Sequence, residues 1–549
     1  MNQQPSPLWT HLTSQSRLTG TWRSALPDYR NLPSPCLGAC PVDGRIAQWV
    51  RQVENRDFHG AWLTLVDNNP FPAIAGRICH HPCETACNRQ YLDETVGICD
   101  LERFVGDMAL AEGWGFGAPQ VERDKSVAIV GGGPAGLSAA WQLRRAGYRV
   151  TLIEAQGELG GLMRHGIPAY RLDRAVLDGE IARITDMGIT VELNAAIGGA
   201  DELRELRARH DAVFLATGAS RAKPLPGLDH DQPWVIDSAA FLAATNGGQP
   251  CDAGARVVVI GGGSAAMDVA RTARRLGRAV TVLALESDAR LPAQAAEVAQ
   301  AREEGVEFVT GAMMQSVRPG GDGLTLTCIR VDFRPGAVRG EFSVDPVAGS
   351  EFTLTGDTII PSIGQDADLA RWDGLLEGNG PVLRATPDWR GTAEGIFVGG
   401  DVASMDRFVT AAIGMGKQAA AAIIRHIDPL NAPEIQPDAP ETGFDRINTA
   451  YHPPASRRRA EDAPLAARLG DFREVQQPLD ADAALAEAGR CFSCGTCTFC
   501  DNCYFYCPDM AIIRHGDSYE VNADYCKGCG LCVAECPTGA IRMYEETQP

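Results

Sequence analysis

The sequence predicts a multidomain fold. It should have an α-helical, cysteine-rich N-terminal region, two Rossmann-like α/β nucleotide-binding units, and a small α+β tail of the bacterial ferredoxin type. Three observations carry that expectation. Sixteen of the 18 cysteines lie in two blocks, one at each end. A strand, glycine turn, helix and strand follow one another twice, from Ser126 and from Arg256. The tail repeats a four-cysteine run, Cys497-x2-Cys500-x2-Cys503-x3-Cys507-Pro508 and Cys526-x2-Cys529-x2-Cys532-x3-Cys536-Pro537. A chain of 549 residues suggests three or four domains of about 150 residues each.

Composition bounds the function classes. With 45% hydrophobic residues the chain can bury several ordinary cores. A net charge of -20 argues against a phosphate-binding surface, so no nucleic-acid partner is expected. The same charge suits a redox protein that docks on a basic partner face. Residues 1–10 have no basic or apolar leader pattern, so no signal peptide is expected. The most apolar stretch, 408–424, is broken by Lys417 and is too short and polar to span a bilayer, so no membrane association is expected.

The elements follow in order. Ile46, Trp49, Val50 and Val53, then Phe58, Ala61, Trp62, Leu65 and Val66, recur at helical spacing and mark core faces of an N-terminal helical region. From about 428 to 480 proline recurs, charge rises and apolar runs vanish, which reads as a linker. Its Arg457-Arg458-Arg459 run reads as a solvated stretch, and a short helix over 482–490 leads into the tail. There, three thiolates on a tight loop reach three irons of one cube, and the cysteine before proline ligates the other. One [4Fe–4S] cluster is expected on Cys497, Cys500, Cys503 and Cys536, and another on Cys526, Cys529, Cys532 and Cys507. Structural zinc has no reason to repeat such a run with a trailing proline. Clusters of this kind need free thiolates and suit a reducing cytoplasm.

The first α/β unit carries Gly131-x-Gly133-x-x-Gly136 and ends its second strand at Glu154. The first glycine permits the tight turn, the second lets a pyrophosphate approach, and the third lets helix pack on strand. The helix N-terminus then faces the phosphates, and Glu154 is placed to accept from a ribose hydroxyl. The second unit has Gly261-x-Gly263-x-x-Ala266 and, after its second strand, Glu286. An acid there pairs with a free ribose 2′-hydroxyl and repels a 2′-phosphate, which points to NADH over NADPH. Arg290 is the residue that would upset this. Ala216-Thr217-Gly218 and Gly399-Gly400-Asp401 end later strands on glycine turns. Together they tie the first unit to FAD, with Asp401 expected on the ribityl hydroxyls.

In this order the motifs resemble the glutamate synthase small subunit family. Its relatives include the N-terminal half of dihydropyrimidine dehydrogenase and the large subunit of NADH-dependent ferredoxin:NADP oxidoreductase. The likeness rests on 35–41 (Pro-Cys-Leu-Gly-Ala-Cys-Pro), Gly76-Arg-Ile-Cys79 through Cys87, Leu101-Glu-Arg-Phe104, 160–168 with Gly161 and Leu162, and Gly400-Asp401. NADPH-using relatives carry Tyr-Arg-Arg where this chain has Ala284-Leu285-Glu286, which agrees with the charge argument. The resemblance implies an NAD domain inserted in the FAD domain. The expected organisation is a helical iron–sulfur domain at 1–124, an FAD domain at 125–235 and 358–427, an NAD(H) domain at 236–357, a linker at 428–490, and a two-cluster ferredoxin domain at 491–549.

The resemblance also assigns Cys40, Cys79, Cys83 and Cys87 to one N-terminal [4Fe–4S] cluster. Relatives carry an Arg-Cys-x-x-Cys pair upstream of the position of Cys36. Here the pair stands instead at Arg490-Cys491-Phe-Ser-Cys494, and it is expected to fold back and complete a second cluster with Cys36. Glu102 matches a position where some relatives use a carboxylate ligand, and Cys99 competes with it. The alternative is that Cys491 and Cys494 are spare thiols, leaving one N-terminal cluster. Cys251 and Cys328 are expected to be buried apolar residues; His80 and His81, which follow Cys79, are expected to support the ligands from behind or to be structural, and not to be ligands themselves. No catalytic side chain is expected, because hydride transfer between nicotinamide and flavin is the cofactors' own chemistry.

The functional expectation is an NADH-linked flavoprotein subunit that moves electrons between NAD(H), FAD and [4Fe–4S] clusters. It would serve a separate catalytic oxidoreductase subunit of 2-oxoacid, aldehyde or sulfite type within a hetero-oligomeric complex. The alternatives are an NADPH-dependent glutamate synthase small subunit, a bifurcating NADH/ferredoxin oxidoreductase, and a carrier that no longer turns over nucleotide.

Overall fold

The valine- and isoleucine-rich runs form two parallel sheets. The first has five strands in the order Ile396–Val398, Ala212–Leu215, Ser126–Val130, Arg149–Ile153 and Thr190–Glu192. The second has four, in the order Thr358–Pro361, Arg256–Ile260, Ala279–Leu283 and Glu307–Val309. The central strands are buried on both faces, which is why they read as unbroken apolar runs. Parallel neighbours need crossovers, supplied by the helices Pro134–Arg145 and Ser264–Arg275. The computed structural model describes residues 18–29, 31–336, 341–434 and 439–546, so the reading of residues 1–10 lies outside the described residues.

The boundary expected between 357 and 358 falls one strand too early. Thr358–Pro361 pairs with Arg256–Ile260 from Thr358↔Val257 to Pro361↔Ile260 and closes the second sheet. The chain rejoins the first sheet only at Ile396–Val398. An antiparallel sheet of Ala312–Gly320, Gly323–Pro335, Phe342–Pro346 and Phe352–Gly356 packs on the second unit through Leu324, Leu326 and Cys328.

The helix Val409–Ile427 joins the first unit to the N-terminal region. A Cβ on Gly416 would lie 2.2 Å from the carbonyl oxygen of Ala135, and one on Gly414 would lie 2.1 Å from that of Pro41. Only glycines let both neighbours approach so closely. Ser138 Oγ donates to Ile413 O at 2.8 Å. Lys417 Nζ donates to Val42 O at 2.8 Å and to Asn68 Oδ1 at 2.9 Å, so the lysine that interrupts the apolar stretch ties two modules together. Among the described residues, no helix is long and apolar enough to cross a membrane.

The N-terminal helices Ile46–Glu54, Phe58–Val66 and Ile98–Ala111 share a core around Trp49, Trp62, Leu101 and Val105. Leu479, Ala484 and Ala488 enter the same core, so the C-terminal part of 428–490 is a packed strap where a free linker was expected. Its charges explain why. Glu474 accepts from Arg103 at 2.8 Å and from Arg77 at 2.5 Å. Arg457, expected to be solvated, is half-buried and paired with Glu84 at 2.7 Å. The first described residues also depart from expectation. Ala25–Asp28 pairs antiparallel with Arg542–Glu545, and Leu32 N donates to Gly495 O at 2.9 Å, so this segment covers the tail. Cys328 is buried, whereas Cys251 is only partly so.

The tight glycine contact has a measurable consequence. Gly416→Ala is expected to destabilise the protein by about 3 kcal/mol, the upper range for overpacking. Gly117→Ala, whose Cβ would meet nothing within 4 Å, should change stability by less than about 0.5 kcal/mol. Urea unfolding of the two variants checks this.

Candidate functional site

The first glycine turn is shaped as a phosphate cradle. Gly131 has φ +112°, and a Cβ there would lie 2.3 Å from the oxygen of Ala216; a Cβ on Gly136 would lie 1.9 Å from the oxygen of Gly131. Gly133 is the N-cap of Pro134–Arg145, and no side chain caps that helix. Its first N–H groups are therefore left for a ligand. Glu154 is buried and accepts from Gly132 N at 2.7 Å and Gln156 N at 2.8 Å. That fixes the carboxylate beside the turn with lone pairs to spare for a ribose. Gly161, at φ +52°, approaches so closely that its Cβ would lie 2.9 Å from Gly133 Cα. A Cβ on Gly400 would lie 3.0 Å from Ala135 Cβ. Gly161 and Gly400, from distant parts of the sequence, thus meet the turn. Leu162 is 40% exposed at the start of a short helix. Thr217 is exposed, and Gly218 follows it at φ +71°. Asp401 lies in the turn Gly400–Val402. The donor set fits a dinucleotide flavin.

The second turn repeats the plan. Gly261 has φ +137° and backs onto Ser362 O, 2.4 Å from where its Cβ would stand. Gly263 caps Ser264–Arg275, again without a side-chain cap, and Ala266 is fully buried. A Cβ on Gly262 would lie 3.0 Å from Glu286 Oε2, so Glu286 stands at this turn as Glu154 stands at the first. Burial pushes the Glu286 carboxyl up from the usual range. Arg290 is exposed in the short turn Asp288–Arg290.

The N-terminal thiols divide differently from the sequence expectation. Cys36, Cys87, Cys491 and Cys494 line one small, mostly apolar cavity. Cys87 was expected beside Cys40, Cys79 and Cys83, but the helix Pro82–Thr85 ends before it and the extended backbone at Cys87 turns it the other way. Glu102, expected with Cys36, Cys491 and Cys494, instead faces Cys40, Cys79 and Cys83. Glu102 accepts from Asn69 Nδ2 at 2.9 Å, and burial pushes its carboxyl up to about 7. Cys99 neighbours the same group, with its Sγ 3.5 Å from Ala75 O. Two short helices meet here. Cys36 lies within Pro35–Ala39 and Cys40 caps its end, while Cys83 lies within Pro82–Thr85 and Cys87 follows it.

In the tail, burial pushes Cys503 up to about 11, with Cys497, Cys500 and Cys536 among its negative neighbours. Burial likewise pushes Cys532 up to about 12, beside Cys526, Cys507 and Cys529. These last four line a small cavity, to which Pro27 contributes. The thiols are free of disulfides. Four cysteine sulfurs gathered at one site are the donor set that a [4Fe–4S] cluster takes. The residues therefore fit iron–sulfur clusters.

Polar neighbours of sulfur escaped the sequence reading. Ser34 Oγ lies 3.0 Å from Cys36 Sγ, Asn88 Nδ2 donates to Cys494 Sγ at 3.5 Å, and Thr410 Oγ1 lies 3.5 Å from Cys79 Sγ. Ser34 was within reach as an N-cap two residues before Cys36. Thr410, 331 residues from Cys79, carries no local signal. It lies in the first turn of the helix Val409–Ile427, whose N-terminus has no side-chain cap, and so joins the first nucleotide unit to the Cys79 thiol.

The family profile described as pyridine nucleotide-disulphide oxidoreductase matches residues 125–419. That described as dihydropyrimidine dehydrogenase domain II, 4Fe-4S cluster, matches 31–114, and a 4Fe-4S binding domain matches 519–542. The chain is 34% identical over 499 residues to the NADP(+)-dependent formate dehydrogenase subunit beta of Moorella thermoacetica, covering 84% of this chain and 70% of that one. It is 33% identical over 507 residues to the NADPH-Fe(3+) oxidoreductase subunit beta of Geobacter sulfurreducens, covering 84% and 75%. It is 34% identical over 399 residues to the NAD-dependent dihydropyrimidine dehydrogenase subunit PreT of Escherichia coli, covering 72% and 91%.

Hydrogen bonds to cluster sulfurs raise a cluster's potential. Thr410→Val is expected to lower the midpoint potential of the centre that Cys79 would hold, read by EPR-monitored titration, with the tail centres unmoved.

Proposed function

Given that the chain belongs to the pyridine nucleotide-disulphide oxidoreductase family, we propose that its residues hold FAD, NADH and four [4Fe–4S] clusters in a line ending at the C-terminal tail. The chain is an NAD(P)H-dependent oxidoreductase with FAD and iron–sulfur domains, and it acts as an electron-transfer subunit. When bound, the flavin exchanges a hydride with nicotinamide, and the clusters carry the electrons singly. The chain's side chains bind, orient and shield. Gly131, Gly133, Gly136, Glu154, Gly161, Leu162, Thr217, Gly218, Gly400 and Asp401 hold FAD. Gly261, Gly263, Ala266 and Glu286 hold NADH, in a domain inserted in the FAD-binding one.

Four ligand sets then follow. Cys40, Cys79, Cys83 and Glu102 form the first, with Cys99 the competing fourth ligand. Cys36, Cys87, Cys491 and Cys494 form the second; Cys497, Cys500, Cys503 and Cys536 the third; Cys526, Cys529, Cys532 and Cys507 the fourth. The observation that carries this reading is the small cavity lined by two thiols from each end of the chain. A separate catalytic oxidoreductase subunit is the partner, which agrees with relatives named as subunits. Free buried thiols suit a reducing cytoplasm.

NADPH is the second reading, because two of the relatives are named for NADP(+) or NADPH. Glu286 beside Gly262 favours NADH. With a dye acceptor, kcat/KM is expected to be at least about tenfold higher with NADH than with NADPH, a difference of about 1.4 kcal/mol, and Glu286→Ala should narrow that ratio. Equal use of both by the wild type would remove Glu286 as the selector. Anaerobically purified protein is expected to carry about sixteen irons per chain and one FAD. A content near eight would leave only the tail clusters.

A further inference from the structure

The tail presents its apolar residues outward. Phe499 is 45% exposed, Tyr504 45%, Phe505 75%, Tyr506 50% and Met510 87%. They interleave with Cys500, itself exposed, and with Cys503 and Cys507. Seven of the twenty large hydrophobic side chains exposed among the described residues lie between 499 and 531, so this is a patch and not ordinary scatter.

Two other parts of the tail are held by the rest of the chain, while Cys529 is exposed as well. Ala25–Asp28 pairs with Arg542–Glu545, and Pro27 lines the cavity of Cys507, Cys526, Cys529 and Cys532. Asn448 Nδ2 donates to Ala534 O at 2.8 Å, and His452 Nε2 lies 3.1 Å from Pro537 O. Between 491 and 546 there are eight acidic side chains against three Lys and Arg.

We propose that Phe499–Met510 is the docking face for a one-electron metalloprotein whose own contact patch is ringed by lysine and arginine. This rests on the electron-transfer reading above. Exposure of Cys500 brings the third ligand set to the surface, the aromatic residues supply the desolvated contact, and the acidic excess steers a basic partner. The electrons balance: oxidation of one NADH to NAD+ releases two electrons and one proton, and two acceptor molecules take one electron each.

The test uses the full-length holoprotein and ferric cytochrome c, a lysine-ringed one-electron protein, as probe. Binding is measured by calorimetry at low and high salt, and reduction is followed with NADH beside reduction of a small dye. Phe505→Lys is expected to raise the Kd for cytochrome c about tenfold and to leave dye reduction within twofold. Leu430→Lys, at a 97% exposed site elsewhere, adds the same charge and should change Kd less than twofold. Binding to the wild type should weaken steeply with salt. Equal effects of the two lysines, salt-independent binding, or no binding would each overturn the proposal. So would conversion of a dimer to a monomer by Phe505→Lys in sedimentation, which would make the face an interface between copies. Loss of dye reduction by the wild type would instead sink the electron-transfer reading itself.

Discussion

Short chain spans between ligand sets are the constraint on which the rest of the structure depends. Cys36 and Cys40, and likewise Cys83 and Cys87, sit four residues apart and face two different groups of thiols. Cys494 and Cys497 lie three residues apart, and Cys503 and Cys507 four. A residue spans at most about 3.3–3.6 Å, so four residues cannot separate two Cα atoms by more than about 14 Å. Backbone length alone therefore holds each group of thiols close to the next, whatever the surrounding modules do. The second group also draws two thiols from each end of the chain, which requires the ends to meet. The strap through Glu474, Arg457 and Ala484 and the strand Ala25–Asp28 serve that end.

The same logic of close approach governs the nucleotide units. Both turns place a glycine at strongly positive φ against a carbonyl of the neighbouring strand's loop, Ala216 in one and Ser362 in the other. Both leave the following helix uncapped and set a carboxylate beside the middle glycine. The helix Val409–Ile427 then brings the first unit against the N-terminal region through Gly414, Gly416 and Lys417. Its first turn ends at the Cys79 thiol. The first nucleotide unit and the first thiol group are neighbours because two glycines leave no room for side chains between the modules.

Local motifs were legible in the sequence, and partnerships across the chain were less so. The two glycine turns, their acids and the doubled tail motif each lie within a few dozen residues, and spacing alone was enough to find them. The return of Cys491 and Cys494 to the N-terminal region was read from a missing upstream pair, and the shared cavity accords with it. Which thiols face which cavity was not legible. Four-residue spacing puts two side chains on one face only while a helix continues, and Pro82–Thr85 stops short of Cys87. The strap looked like a linker because proline and charge dominate it, yet its charges are matched by Arg77, Arg103 and Glu84 far upstream. The strand Thr358–Pro361 carries no mark of which sheet it joins, since either sheet accepts a short run of four buried residues.

The most direct test removes the middle of the line. In a Cys491→Ser/Cys494→Ser protein, rapid mixing with NADH and freeze-quench EPR should show the flavin reduced while the tail centres stay oxidised over the time in which the wild type reduces them. Tail centres that reduce at the wild-type rate in this variant would contradict an ordered path through the shared cavity.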